Sequence, residues 1–210
     1  LTFPAEHGIL YQRAGNPNHR RTLCLWRVSL RSGIFGDVCM IEVKINKFLL
    51  KMARQKAEEM DQLNNSITKG DGNIAGFLGE FIAAQEIGAE VDNSYEHDLL
   101  FGMTTIDVKT KRCTSKPRDF YECSIAAYNT KQKCDIYVFT RLLWLKAAPK
   151  VWERGWLLGW LPKKDYFEQA TFLKKGEVDT SNNFTVKADC FNLKISCLND
   201  METLGENDVE

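Results

Sequence analysis

The feature that most constrains this chain is a change of hydrophobic period between Asn73 and Leu142. From Asn73 to about Gly88, residues Ile74, Phe77, Leu78, Phe81 and Ile82 recur at the spacing of one helix face, and Gly88 is a natural stop. Beyond it come short runs of strand character, His97–Phe101, Thr104–Lys111, Phe120–Ile125 and Cys134–Leu142. A helical period does not fit a pleated strand, nor a strand period a helix face, so the chain must combine both. Trp156–Leu161 reads as one more strand, Pro162 as the first position of a helix to about Ala170, and Phe184–Lys187 as a late strand. The expected fold class is α/β, a mixed β-sheet flanked by helices.

The flanks read differently. Residues 1–39 hold five Arg, two acids and no Lys, so an N-terminal extension is expected, followed by a folding unit over residues 40–198. Within that unit Asn46 should cap a helix carrying Phe48, Leu49, Met52, Met60 and Leu63, ending near Asn64-Asn65, with a chain break over Thr68–Gly72. Residues 199–210 carry Asp200, Glu202, Glu206, Asp208 and Glu210 without a cation, and are expected to be a frayed acidic tail. Arg27, Arg31, Arg141 and Lys146 interrupt the apolar stretches, so no membrane span is expected. Leu23–Val38 makes a poor secretory signal, and the expected location is cytoplasmic. Seven cysteines without a Cys-x-x-Cys pair read as reduced thiols rather than a disulfide framework or a zinc site.

Chemistry concentrates around Tyr95–Phe101 and Ile106–Thr110. Alternation along a strand turns Asp107 and Lys109 to one face and Ile106, Val108 and Thr110 to the other. Gly102-Met103 would turn a tight hairpin, bringing Asp98 on the partner strand within reach of Asp107. Two carboxylates held together repel unless a proton or cation joins them, and a hard divalent ion with oxygen ligands is the common remedy. Mg2+ fits, because it retains waters, bridges phosphate oxygens and lowers the pKa of coordinated water. Lys109 could orient that water or stabilise charge building on phosphorus. Glu80 lies off the bulky stripe of its helix, among Gly76, Gly79, Ala83 and Ala84; it reads either as a solvated glutamate or as a carboxylate facing a site.

This order of pieces, a Gly79-Glu80 helix, Asp98 in His97-Asp98-Leu99-Leu100, then Asp107-Val108-Lys109 on the next strand, resembles the PD-(D/E)XK nuclease superfamily of restriction-endonuclease-like fold. The resemblance spans about residues 73–142. It implies that Asp98 and Asp107 bind the metal, that the Val108 carbonyl completes the coordination, that Lys109 positions the nucleophile, and that Glu80 supports it. It further implies Mg2+, with Mn2+ able to substitute, and hydrolysis leaving a 5′-phosphate and a 3′-hydroxyl. One departure is that His97 stands where the motif's proline would precede Asp98. His97 itself reads as a hydrogen-bonding structural residue more than as a general base. The cysteines do not show the spacing of the superfamily's iron–sulfur members, so no cluster is expected.

With 28 Lys plus Arg against 28 Asp plus Glu, bulk charge gives no pull towards nucleic acid. A local excess does: Met103–Arg154 holds eleven basic residues against five acidic ones. Lys111, Arg112, Lys116 and Arg118 leave the Asp107–Lys109 strand together, as a DNA-contacting loop or as a solvated basic one. Trp144, Trp152, Trp156 and Trp160 could stack on bases but read mainly as core. The expected activity is Mg2+-dependent hydrolysis of DNA, by an endonuclease more readily than an exonuclease. The alternatives are a non-catalytic nucleic-acid-binding module on the same fold, or an α/β domain whose charged residues form an ordinary surface cluster. A homodimer would bring two sites to a duplex, though no segment marks an interface.

Overall fold

The computed structural model describes residues 39–61, 71–92, 94, 96–145, 147–148, 151–180 and 182–205. Residues 1–38 of the expected N-terminal extension, the helix residue Leu63 with the expected helix end at Asn64-Asn65, and the Thr68–Gly70 part of the chain break lie outside them. The fold is mixed α/β. A six-stranded sheet has the order β1 (Ile41–Lys44), β7 (Arg154–Pro162), β6 (Ile136–Leu143), β4 (Thr104–Cys113), β3 (Leu99–Phe101), β2 (Glu90–Val91). Its central pair, β4 and β6, is parallel and the other pairs are antiparallel. A second sheet of three strands has β11 (Cys190–Lys194) between β5 (Glu122–Ala126) and β8 (Thr171–Leu173), and β9 (Val178–Asp179) pairs with β10 (Phe184–Thr185).

Helices α1 (Lys47–Asp61) and α2 (Asp71–Ile87) pack together, and α2 lies on the main sheet. Asn46 caps α1 as expected, its Oδ1 accepting the Leu49 N–H at 2.9 Å. The buried stripe of α1 is Leu49, Ala53 and Ala57, whereas Phe48 and Met52, expected on that face, are exposed. The alanines share one apolar cluster with Phe77 and Phe81, so the bulk at this helix contact comes from α2. α2 is buried on both sides: Phe77 and Phe81 join the cluster with α1, while Ala83 joins β3, β4 and β6 residues. It ends at Gly88, whose φ of +77° allows the Gly88 and Ala89 N–H groups to turn back onto the Ala84 carbonyl.

The opposite face of the sheet carries α3 (Lys163–Gln169) and the three-stranded sheet, over a core that includes Tyr137, Phe139, Trp156, Leu158 and Tyr166. Tyr166 Oη is bonded to the carbonyls of Cys123 at 3.0 Å and Phe191 at 2.8 Å, tying α3 to β5 and β11. Trp152, Trp156 and Trp160 are core residues, and Cys113, Cys123 and Cys134 are buried thiols.

The acidic stretch does not fray from residue 199. Asn199 exchanges backbone hydrogen bonds with Trp160, at 2.9 and 3.1 Å, and Met201 is buried. Trp160 Nε1 donates to the Asp200 carbonyl at 3.1 Å. A buried apolar anchor outweighs the local charge bias, and the fold runs past the expected limit at 198. Among the described residues no helix is long and apolar enough to cross a membrane.

Candidate active site at the open edge of β4

Phe101 and Thr104 pair across Gly102-Met103, as the turn signal implied, and Gly102 has the positive φ of +62° that such a turn needs. The pairing is short. β3 covers β4 only from Thr104 to Ile106, so from Asp107 onward that edge of β4 lacks a β3 partner. Asp98 sits at this point: its N–H donates to the Ile106 carbonyl at 2.8 Å, and its Oδ2 accepts the Val108 N–H at 2.8 Å. The N–H and C=O of a strand residue project to the same side, so the Val108 carbonyl emerges on the edge where Asp98 lies.

Alternation along β4 separates two kinds of chemistry. Ile106 and Val108 enter the apolar cluster that includes Ala83 of α2. Asp107 and Lys109 face the other way, with Lys109 Nζ 5.8 Å from the centroid of the Tyr137 ring. Asp107 is 1% exposed, and its Oδ2 is 2.6 Å from Lys109 Nζ. That contact is an ion pair without hydrogen-bond alignment, so among the described residues Oδ2 is a buried oxygen lacking a directed donor. Lys109 Nζ donates instead to Gln132 Oε1 at 2.7 Å.

Glu80 arrives from α2 because its neighbour is glycine. A Cβ at position 79 would lie 1.9 Å from Thr110 Oγ1, so only glycine allows the helix to touch β4 there. Glu80 is 9% exposed and its Oε2 is 3.0 Å from Lys56 Nζ, which also lies 4.7 Å above the Phe77 ring. Burial raises the Glu80 carboxyl above the ordinary value; Lys56 opposes this, and the Asp107 charge adds to the rise. Asp98 responds to the same neighbours. Burial, then the charges of Glu80 and Asp107 and a hydrogen bond with Asp107, push its carboxyl up to about 8 against the pull of the Val108 N–H. Three carboxylates thus share one partly dry site that favours holding a proton or admitting a cation.

The structure brings together Glu80, Asp98, Asp107, Val108 and Lys109, from a helix, a hairpin arm and a strand. Among the described residues, no three His, Cys, Asp or Glu side chains stand ready as a coordination shell, since Lys109 holds Asp107 and Lys56 holds Glu80. The donor set nevertheless suits a hard cation. It consists of oxygens only, one of them buried without a directed donor among the described residues, and the raised Asp98 carboxyl favours a proton that a cation would displace.

The expected DNA-contacting residues divide. Lys116 and Arg118 are exposed, and Arg112 is exposed above Trp144 at 5.1 Å. Lys111 turns inward, donating to the Glu122 carbonyl at 3.3 Å and to Ser124 Oγ, because the alternation that sends Lys109 under the sheet sends Lys111 there too. His97 Nε2 is 2.8 Å from Asp92 Oδ2, and its Nδ1 is buried without a partner among the described residues. Sequence reading missed Lys56 and Gln132. Lys56 could have been found from its place beside Ala53 and Ala57 on the buried side of α1; Gln132, in a loop, carried no signal.

Compared with known proteins, the chain matches no family model and no curated protein sequence.

Proposed function

We propose that this chain is a divalent-metal-dependent nuclease, an endonuclease acting on DNA, on a restriction-endonuclease-like domain of the PD-(D/E)XK kind. One observation carries the reading: Glu80, Asp98 and Asp107 converge with Lys109 where β4 loses its β3 partner, so charge and proton uptake meet at one place. Asp98, Asp107 and the Val108 carbonyl would hold Mg2+ or Mn2+, with Glu80 as a further oxygen ligand or a partner to a coordinated water. The ion, when bound, polarises a phosphoryl oxygen and lowers the pKa of water.

The chain's own residues do the rest. Lys109, which pairs with Asp107 and donates to Gln132 Oε1, would be placed to orient the attacking water or to meet charge developing on phosphorus once Asp107 held a cation. Lys56 keeps Glu80 from swinging into solvent. Arg112 at the end of β4, with Lys116 and Arg118 on the segment beyond it, supplies exposed cations suited to phosphate contacts.

The test incubates purified protein with supercoiled plasmid and with single-stranded DNA, with and without Mg2+ or Mn2+, beside Asp107→Ala and Lys109→Ala variants. Metal-dependent cutting that both substitutions abolish is the expected result. Absence of cutting by a folded wild type on both substrates counts against the reading. A second reading, a non-catalytic nucleic-acid-binding module, draws on the two ion pairs that neutralise Asp107 and Glu80 without any metal. DNA retardation that persists in EDTA, without cleavage in metal, would favour it.

A further inference from the structure

Beyond Lys109 the same face of the sheet holds two more cations that, among the described residues, are in no direct ion pair, although the Glu122 charge acts on Lys111 from nearby. Lys111 of β4 and Arg141 of β6 are in-register neighbours on the parallel pair. Both point at one neutral acceptor: the Glu122 carbonyl receives Lys111 Nζ at 3.3 Å and Arg141 Nη2 at 2.7 Å. Lys111 also donates to Ser124 Oγ, and Arg141 lies 5.2 Å from the centroid of the Tyr121 ring. Among the described residues neither cation is in an ion pair, and the Glu122 carboxylate accepts from the Nδ2 groups of Asn182 and Asn192.

Such a pair is costly. Like charges on adjacent strands repel, and partial burial takes away the water that would screen them. Burial, then the Arg141 charge, accordingly hold Lys111 below the ordinary lysine value, with the Glu122 charge opposing them only in part. A carbonyl and a hydroxyl satisfy hydrogen bonds but bring no negative charge. A narrow cleft runs over these side chains and reaches Lys109, lined also by Ser124 and Phe139. Its interior suits a phosphoryl oxygen and excludes a base.

The geometry points to the Lys111–Arg141 cleft as an anion subsite for a phosphate group beside the carboxylate centre. In the nuclease reading, on which this assignment of the substrate rests, the occupant is a phosphodiester neighbouring the one that is cut. The two lysines are two residues apart on a strand, roughly 6.6 Å, a spacing comparable with that of successive phosphates on a nucleic-acid chain. Arg141 offers several donors in a planar fork that matches phosphate oxygens, and Lys111 adds a point charge.

Inorganic phosphate and pyrophosphate serve as probes, titrated into the full chain in EDTA at constant ionic strength and followed by thermal shift and by 31P line broadening. Wild type should show saturable binding that matched chloride does not produce. Arg141→Gln and Lys111→Met should each weaken it about tenfold or more, Arg141→Lys should weaken it less than Arg141→Gln, and Lys164→Met, at an exposed position on α3, should retain it. Failure of the wild type to bind either probe beyond the chloride effect would overturn the subsite, as would unchanged affinity in folded Arg141→Gln and Arg141→Lys proteins. Plasmid cleavage is scored separately. Phosphate binding without cleavage leaves the subsite standing and the nuclease reading refuted, and cleavage without phosphate binding does the reverse.

Discussion

Replacing Gly79 by alanine tests whether α2 lies against β4 as closely as Glu80 requires. The added Cβ would sit 1.9 Å from Thr110 Oγ1 and 2.6 Å from Thr140 Oγ1, two hydroxyls that hydrogen-bond to each other at 2.8 Å. Neither distance is tolerable, so the hydroxyls must part or the helix must lift. Alanine favours a helix interior over glycine by about 1 kcal/mol. Overpacking costs about 1–3 kcal/mol, and a lost hydroxyl hydrogen bond about 1 kcal/mol more. The balance is a destabilisation of about 1–3 kcal/mol, which in a chain of this size lowers Tm by roughly 2–12 °C. Gly76, one turn earlier, has nothing among the described residues within 4 Å of an added Cβ, so Gly76→Ala should keep its propensity gain and raise Tm slightly. Thermal unfolding of both variants by circular dichroism is the assay. Adding Thr110→Ala should recover part of the Gly79→Ala loss by removing the nearest obstructing oxygen. A Gly79→Ala protein as stable as wild type, or gaining as much as Gly76→Ala, would refute the close approach and the placement of Glu80 that depends on it.

Asp98 makes the metal-free protein sensitive to pH. Its carboxyl rises from about 3.8 to about 8 on folding, so between those values the native state binds more protons than the unfolded one, and stability falls as pH rises through that window. Asp98→Asn should flatten the fall in Tm measured in EDTA from pH 4 to 8; an unchanged slope would contradict the assignment. Lys109→Met should leave Asp107 buried without a counter-charge and destabilise the metal-free protein by about 3 kcal/mol, with Mg2+ restoring part of the loss in chemical denaturation. Among the described cysteines, Cys39 and Cys197 are exposed and should label first with a thiol reagent. Cys123, pushed up to about 12 by burial, and Cys134, pushed up to about 11, should label only on unfolding, as mass spectrometry would report.

The parts of the molecule that were legible in the sequence are those governed by local rules. Strand alternation put Asp107 and Lys109 on one face, Gly102-Met103 marked the hairpin, and the Ile74–Ile82 stripe and Gly88 marked α2. Where packing partners decide, local reading failed. By size and spacing Phe48 and Met52 belong on the inner face of α1, but the neighbouring Phe77 and Phe81 leave room there for Ala53 and Ala57. Lys111 was grouped with Arg112, Lys116 and Arg118 by charge, although the period-two rule already assigned it to the face of Lys109. β11 joins β5 and β8 by pairings with distant segments, and its own stretch gives no clean alternation. The supports of the candidate site are of the same distant kind: Lys56 meets Glu80 across 24 residues and Gln132 meets Lys109 across 23.

Everything turns on whether the three carboxylates take a divalent cation. Mn2+ titrated into the full chain and followed by electron paramagnetic resonance reads this directly, independent of any DNA substrate. The account predicts saturable binding by the wild type, weakened at least about tenfold in Asp98→Asn and Asp107→Asn proteins that remain folded. No saturable binding, or binding that both variants retain undiminished, would contradict it.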